Sequence, residues 1–267
     1  MTDPIPLRAD NKTPASVPAL ICPNMFAIAS GKGGVGKTWF SITLCQALSR
    51  AGKRVLLFDG DLGLANVDIQ LGLTPDKDLG DVIDGKMPLA RAITTTVEGG
   101  FDILAGRSGS GSLATLSAQK VGDLRNDLMA LAATYDFVAV DLGAGVDRSV
   151  RQMAGPAATT FVVLTDEPTS ITDAYAFIKL ARAANPNVNL KVIVNMATSA
   201  TDGRRTYDTV RKACEGFLQF TPPLAGIIRR DQKVRDAIRA QMPLLTRSPN
   251  AAAAEDVEAI ARHFIQS

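Results

Sequence analysis

Gly31-Lys32-Gly33-Gly34-Val35-Gly36-Lys37-Thr38 is the stretch that decides the fold. It satisfies the spacing G-x-x-x-x-G-K-[ST] and is correctly flanked. The apolar run Phe26-Ala27-Ile28-Ala29 precedes it, and a helical pattern follows with Phe40, Leu44, Leu48 and Ala51 on one face. Glycines without a Cβ let backbone N–H groups curl around a phosphate. The helix that opens there adds its partial positive charge. Lys37 is placed to reach β- and γ-phosphates, and the Thr38 hydroxyl to ligate Mg²⁺.

Outward from this loop, short aliphatic runs alternate with longer helical patterns. Strands are predicted over 26–29, 55–59, 101–104, 137–141, 160–164, 190–195 and 224–228. Each is mostly apolar on both faces, as in a parallel sheet covered by helices. Helices are predicted over 37–51, 118–134, 170–184, 204–218, 232–241 and 252–265. The alternation implies an α/β fold with a doubly wound, mainly parallel sheet and helices on both faces. Composition changes little from Met25 onward, so 25–267 reads as one domain. Residues 1–24, with five prolines and no apolar stretch of signal-peptide length, read as a flexible extension.

Two predicted strands end in carboxylates. Phe137-Val138-Ala139-Val140-Asp141 places Asp141 to hold Mg²⁺ through water, and the following Gly143 to offer an N–H toward a γ-phosphate. Val55-Leu56-Leu57-Phe58-Asp59-Gly60-Asp61 places Asp59 in the outer shell of the metal and Asp61 to orient the attacking water. Phosphoryl transfer needs positioning and charge stabilisation more than covalent chemistry, which suits this set.

Composition excludes other chemistries. The chain has 267 residues, 46% of them hydrophobic, and a net charge of +2. Its one histidine, His263, leaves no multi-His metal site. Three widely spaced cysteines with no Cys-x-x-Cys exclude a zinc ribbon, a disulfide framework and a self-contained iron–sulfur site. No run approaches a membrane span. A cytoplasmic protein with reduced thiols is expected.

The loop, the stretch Asp59-Gly60-Asp61-Leu62-Gly63-Leu64-Ala65-Asn66-Val67-Asp68 and the turn Asp141-Leu142-Gly143-Ala144-Gly145 together resemble the MinD/ParA family of deviant Walker A ATPases, from about Met25 to the end of the chain. Asp166-Glu167-Pro168-Thr169-Ser170-Ile171-Thr172-Asp173-Ala174-Tyr175-Ala176-Phe177-Ile178-Lys179 is similar to its FlhG branch, the regulators of flagellar number and placement. The resemblance implies a slow ATP hydrolase with ATP and Mg²⁺ as cofactors. It implies an ATP-dependent homodimer, in which Lys32 reaches across to the partner's nucleotide. It also implies regulatory or flagellar-assembly protein partners, and recruitment to the cell pole or inner membrane face. Asn195 matches the position that hydrogen-bonds adenine in the family, although its spacing equally fits a strand-end turn residue. Two alternatives stay open: a ParA-type ATPase that positions cargo on DNA, and a nucleotide-binding adaptor with little turnover.

Three departures qualify the resemblance. The N-terminal Asp-Gln-Ala-x-x-Leu-Arg motif that engages a partner GTPase is missing, with Pro6-Leu7-Arg8 its nearest counterpart. The C-terminal helix carries Glu255, Asp256 and Glu258 and a stripe of Val257, Ile260, Ala261 and Phe264, which argues for core packing against direct membrane binding. Leu142 stands where Thr or Ser is common. Within the helix predicted over 170–184, Ser170 and Asp173 have capping-box spacing. Between 201 and 247, ten basic residues face five acidic ones. A solvated helix face is the favoured reading; low aromatic content gives little stacking capacity for single strands, while nonspecific duplex contact would need only these charges.

Overall fold

The structure, a computed structural model, describes residues 21–61, 65–106 and 116–266. The expected extension lies outside the described residues up to residue 20, and residues 22–24 already belong to the first strand. In chain order the elements are β1 (Cys22–Ala29), α1 (Lys37–Arg50), β2 (Val55–Gly60), α2 (Val67–Leu71), α3 (Leu79–Ile83), β3 (Ile93–Thr95), β4 (Asp102–Leu104), α4 (Ala118–Ala132), β5 (Phe137–Leu142), α5 (Arg148–Ala154), β6 (Ala157–Leu164), α6 (Pro168–Ala184), β7 (Leu190–Ala197), α7 (Ala200–Leu218), β8 (Leu224–Arg229), α8 (Gln232–Arg239), α9 (Leu244–Arg247) and α10 (Ala252–Gln266). A 3₁₀ turn at Leu89–Ala92 leads into β3.

All seven predicted strands are present. β3 is the addition, antiparallel to β4, while every other pairing is parallel. The strand order is β3-β4-β2-β5-β1-β6-β7-β8. The chain therefore leaves β1 to one side through β2–β5 and returns to its other side through β6–β8. The crevice at the carboxyl end of β1 is a topological switch point, where open α/β sheets bind ligands.

Alternation along β1 divides the core into two layers. Met25, Ala27 and Ala29 face one side, with Val121, Leu124 and Leu128 of α4 and Ala174, Phe177 and Ile178 of α6. Phe26 and Ile28 face the other, with Phe40, Leu44 and Leu48 of α1 and Val257, Ile260 and Ala261 of α10. α1 is buried from Lys37 to Leu48, so the helix that opens the phosphate loop is a central beam of the fold. The α10 stripe packs into this core, as its apolar spacing implied.

Candidate functional site

The loop sits at the carboxyl end of β1. Gly36 caps α1 with φ 85°, a left-handed conformation, and a Cβ there would lie 2.4 Å from Asn195 Nδ2. A Cβ on Gly31 would lie 2.1 Å from the Asp173 carbonyl oxygen. Only glycine fits either place. Side chains brace the loop from both flanks: Ser30 Oγ donates to the Lys32 carbonyl at 2.8 Å, and Asn195 Nδ2 donates to the Val35 carbonyl at 2.8 Å. The α1 N-terminus has no side-chain cap and no acidic residue in its first turn, so its amides remain suited to an anion. Gly33 and Gly34 border open space, consistent with a cradle left clear for a ligand.

Asp59 and Asp141 are register partners across β2 and β5, and each is 1% exposed. Asp141 Oδ1 accepts from Ser41 Oγ at 2.9 Å, whereas Oδ2 is buried with no protein partner. Burial pushes the Asp141 carboxyl up from its ordinary range, against Lys37 and the hydroxyls of Thr38 and Ser41, which pull it down. A buried, orphaned carboxylate oxygen beside the Thr38 hydroxyl fits a hard, oxygen-ligated cation. Among the described residues no group of three or more His, Cys, Asp or Glu side chains could hold a metal. This donor set suits Mg²⁺, which is commonly held by one or two protein ligands plus substrate phosphates and water.

Asp59 does something the sequence did not foretell. Its carboxylate accepts from the backbone N–H groups of Asp61 at 3.2 Å, Asn66 at 3.0 Å and Val67 at 3.1 Å. Burial, then the neighbouring Asp141, push its carboxyl up to about 8, opposed by these amides. Assigned from sequence to the outer shell of a metal, Asp59 in this structure ties down the loop that carries Asp61. Residues 62–64 of that loop lie outside the described residues. Asp61 faces the turn after β5: a Cβ on Gly143 would lie 3.4 Å from Asp61 Oδ1. The Gly145 amide donates to the Ser30 carbonyl at 2.9 Å, joining that turn to the phosphate loop. Lys37, Thr38, Asp59, Asp61, Asp141 and Gly143 thus gather at one end of the sheet.

Lys32 Nζ pairs with Glu167 and donates to Thr169 Oγ1 at 3.0 Å within its own chain. That pair holds the Glu167 carboxyl below its usual range. Glu167 is exposed and Lys32 partly so, and a pair open to solvent in this way contributes little stability. Sequence reasoning did not single out Glu167 and Thr169 as Lys32 partners, nor Ser30 and Ser41. The position of Ser41, one helical turn after Lys37, was the available signal for it. The capping-box reading of Ser170 is corrected. Pro168 starts α6 two residues earlier with Glu167 as N-cap, and Ser170 Oγ instead accepts from the Thr165 amide at 3.0 Å.

The basic stretch is partly neutralised. Arg229 forms bonds of 2.9–3.1 Å to both Asp256 oxygens, and Arg211 pairs with Asp208 and Glu215. Among the described residues no helix is long and apolar enough to cross a membrane.

Residues 26–244 match the model of the CobQ/CobB/MinD/ParA nucleotide binding domain. The chain is 38% identical to the antiactivator FleN of Pseudomonas aeruginosa, over 89% of this chain and 85% of that protein. It is 30% identical to the flagellum site-determining protein YlxH of Helicobacter pylori, over 88% of this chain and 79% of that one. The MinD fold in the MinC:MinD cell division protein complex of Aquifex aeolicus superposes with a TM-score of 0.75, at 26% identity, covering 91% of this chain and 96% of that one.

Proposed function

Because the chain belongs to the CobQ/CobB/MinD/ParA nucleotide-binding family, we propose that it is a Mg²⁺-dependent ATPase working as a nucleotide-switched dimer that regulates flagellar number or polar placement through partner proteins. One observation carries the catalytic half of this reading. The braced Gly31–Thr38 loop, the orphaned Asp141 oxygen and Asp61 converge at the switch point of the sheet. The flagellar half is supported by the likeness to FleN and YlxH along nearly the whole chain.

Each residue has a definite task. Backbone amides of 33–38 and the α1 N-terminus bind the phosphates, and Lys37 balances charge on the β- and γ-phosphates. Mg²⁺, held by Thr38 and, through water, Asp141, would neutralise charge developing on the phosphate oxygens. Asp61 orients the water, and Asp59 keeps Asp61 in place through the 61, 66 and 67 amides. The Gly143 amide faces the γ-phosphate. Asn195 carries an amide already bonded to the loop, and its remaining N–H and oxygen are suited to adenine. In the dimer, Lys32 leaves Glu167 for the partner's nucleotide. The two states then differ in exposed surface, which lets partners discriminate between them. The protein acts in the cytoplasm, with recruitment to the pole through those partners.

Light scattering with ADP or ATP tests the switch. Mass should double with ATP and Mg²⁺ only, and Lys32→Ala should abolish the doubling; a monomer in every nucleotide state would contradict it. Counting flagella in a deletion strain tests the biological half, which unchanged number and position would overturn.

A further inference from the structure

Among the described residues three non-glycine residues have a left-handed backbone: Met196 (φ 57°), Gln219 (φ 49°) and Gln241 (φ 53°). Gln219 and Gln241 follow the ends of α7 and α8, where this conformation closes a helix. Met196 instead lies inside a strand, β7. The strand is bulged there. Val194 and Ala197 pair with Ile227 and Arg229, so two residues of β7 stand opposite one of β8. Bulges are uncommon between parallel strands, and next to active sites they re-aim side chains. Here both bulged side chains reach the phosphate loop. Asn195 Nδ2 donates to the Val35 carbonyl at 2.8 Å, and Met196 Cε would lie 3.3 Å from a Cβ on Gly36. We infer that Met196 is a base-binding residue, whose thioether forms the apolar wall of the subsite that takes a nucleotide's purine ring. The inference rests on the nucleotide reading above and names the part of the ligand that Met196 meets.

Three arguments converge on this residue. The first is direction. In the order β3-β4-β2-β5-β1-β6-β7-β8, the carboxylates of β2 and β5 all lie to one side of β1. In-line attack puts the water and the leaving oxygen on opposite sides of the γ-phosphate. With Asp61 at the water, the rest of the nucleotide runs the other way, toward β6, β7 and β8. The second is strain. Glycine would adopt this backbone freely, whereas methionine adopts it under strain. Contacts on both sides hold the bulge in place: the Asn195 bond to the loop, and the Arg230 amide donating to the Ala197 carbonyl at 2.8 Å. The third is chemistry. A thioether is unbranched and polarizable, and it makes favourable contacts with aromatic rings. Met196 is only partly buried, so one side of it is open to a ligand.

Calorimetry and methyl NMR of the full chain test the assignment, with Mg-ADP and Mg-tripolyphosphate as ligands. Met196→Gly should weaken Mg-ADP binding by about tenfold and leave tripolyphosphate binding within about twofold. Its melting temperature should not fall, because glycine relieves the strain. Met196→Leu, which keeps an apolar side chain, should retain ADP affinity within about twofold. In protein labelled at its methionine methyls, the Met196 resonance, assigned by its loss in Met196→Gly, should move upfield with ADP and stay in place with tripolyphosphate. The assignment is overturned if that resonance stays in place while ADP binds, or if Met196→Gly binds ADP as the native protein does. Equal loss of both ligands in Met196→Gly also overturns it, since the side chain would then act through the loop. A native protein that binds tripolyphosphate as tightly as ADP removes the base subsite and leaves the phosphate grip standing. Binding of neither removes the nucleotide reading and this inference with it.

Discussion

At the carboxyl end of the sheet the buried polar side chains include Lys37, Thr38, Ser41, Asp59, Asp141, Thr165 and Asn195, and two of their polar atoms, Asp141 Oδ2 and Thr165 Oγ1, have no protein partner. Toward the amino ends the same sheet is closed by rings. Phe26, Phe161 and Phe264 meet edge-on with centroids 5.1–5.9 Å apart, and Phe137 lies 5.5 Å from Phe264. Buried polar groups cost free energy unless satisfied, whereas packed rings return it. The fold therefore concentrates its stabilising contacts at one end and spends stability at the other, where a charged ligand can satisfy what the protein leaves open. Stability and chemistry should be separable by mutation.

The largest expected effect lies among the rings. Phe161, 1% exposed, should cost about 3–5 kcal/mol of unfolding free energy when changed to alanine. In denaturant titration the midpoint falls, while the folded fraction binds Mg-ATP as before. A comparable loss of nucleotide affinity at saturating folded protein would mean the two ends are coupled. At the other end, Asp61→Ala should lower the rate of phosphate release by about 100- to 1,000-fold, with a melting temperature near that of the unaltered protein. Equal rates with and without Asp61 would remove it from the reaction.

Smaller substitutions sharpen the contrast. Asn195→Ala leaves the Val35 carbonyl without its donor, a loss of about 1–3 kcal/mol. Because that bond braces the phosphate loop, calorimetry should show Mg-ATP affinity falling by about tenfold, with a smaller fall in melting temperature. Smallest is Ser199→Ala, which removes the α7 N-cap bond to the Asp202 amide. It should cost about 1 kcal/mol of stability and leave phosphate release per folded molecule unchanged.

The legible parts of the molecule were those whose cause is local. A run of apolar residues ending in Asp is a buried strand emerging at the edge of a sheet, so Asp59 and Asp141 could be placed from sequence. The phosphate loop could be read because its glycines, lysine and threonine are contiguous. β3, α2, α3 and α5, with three to seven residues each, are too short to show a period. The role of Asp59 depends on the chain returning to it at Asn66 and Val67. The partners of Lys32 lie 135 and 137 residues away. Ser170 misled because Pro168 started its helix first. For Asp59 and Lys32 the deciding contact is made by tertiary folding, beyond the reach of spacing, whereas for Ser170 the deciding residue, Pro168, is local.

Isothermal calorimetry of the folded protein with Mg-ATP tests the central claim, that the loop from Gly31 to Thr38 grips a nucleotide's phosphates beside a divalent cation. Saturable binding of one nucleotide per chain is expected, weakened when Mg²⁺ is chelated and abolished by Lys37→Ala. No heat at any nucleotide concentration, or identical binding by the Lys37→Ala variant, would contradict it.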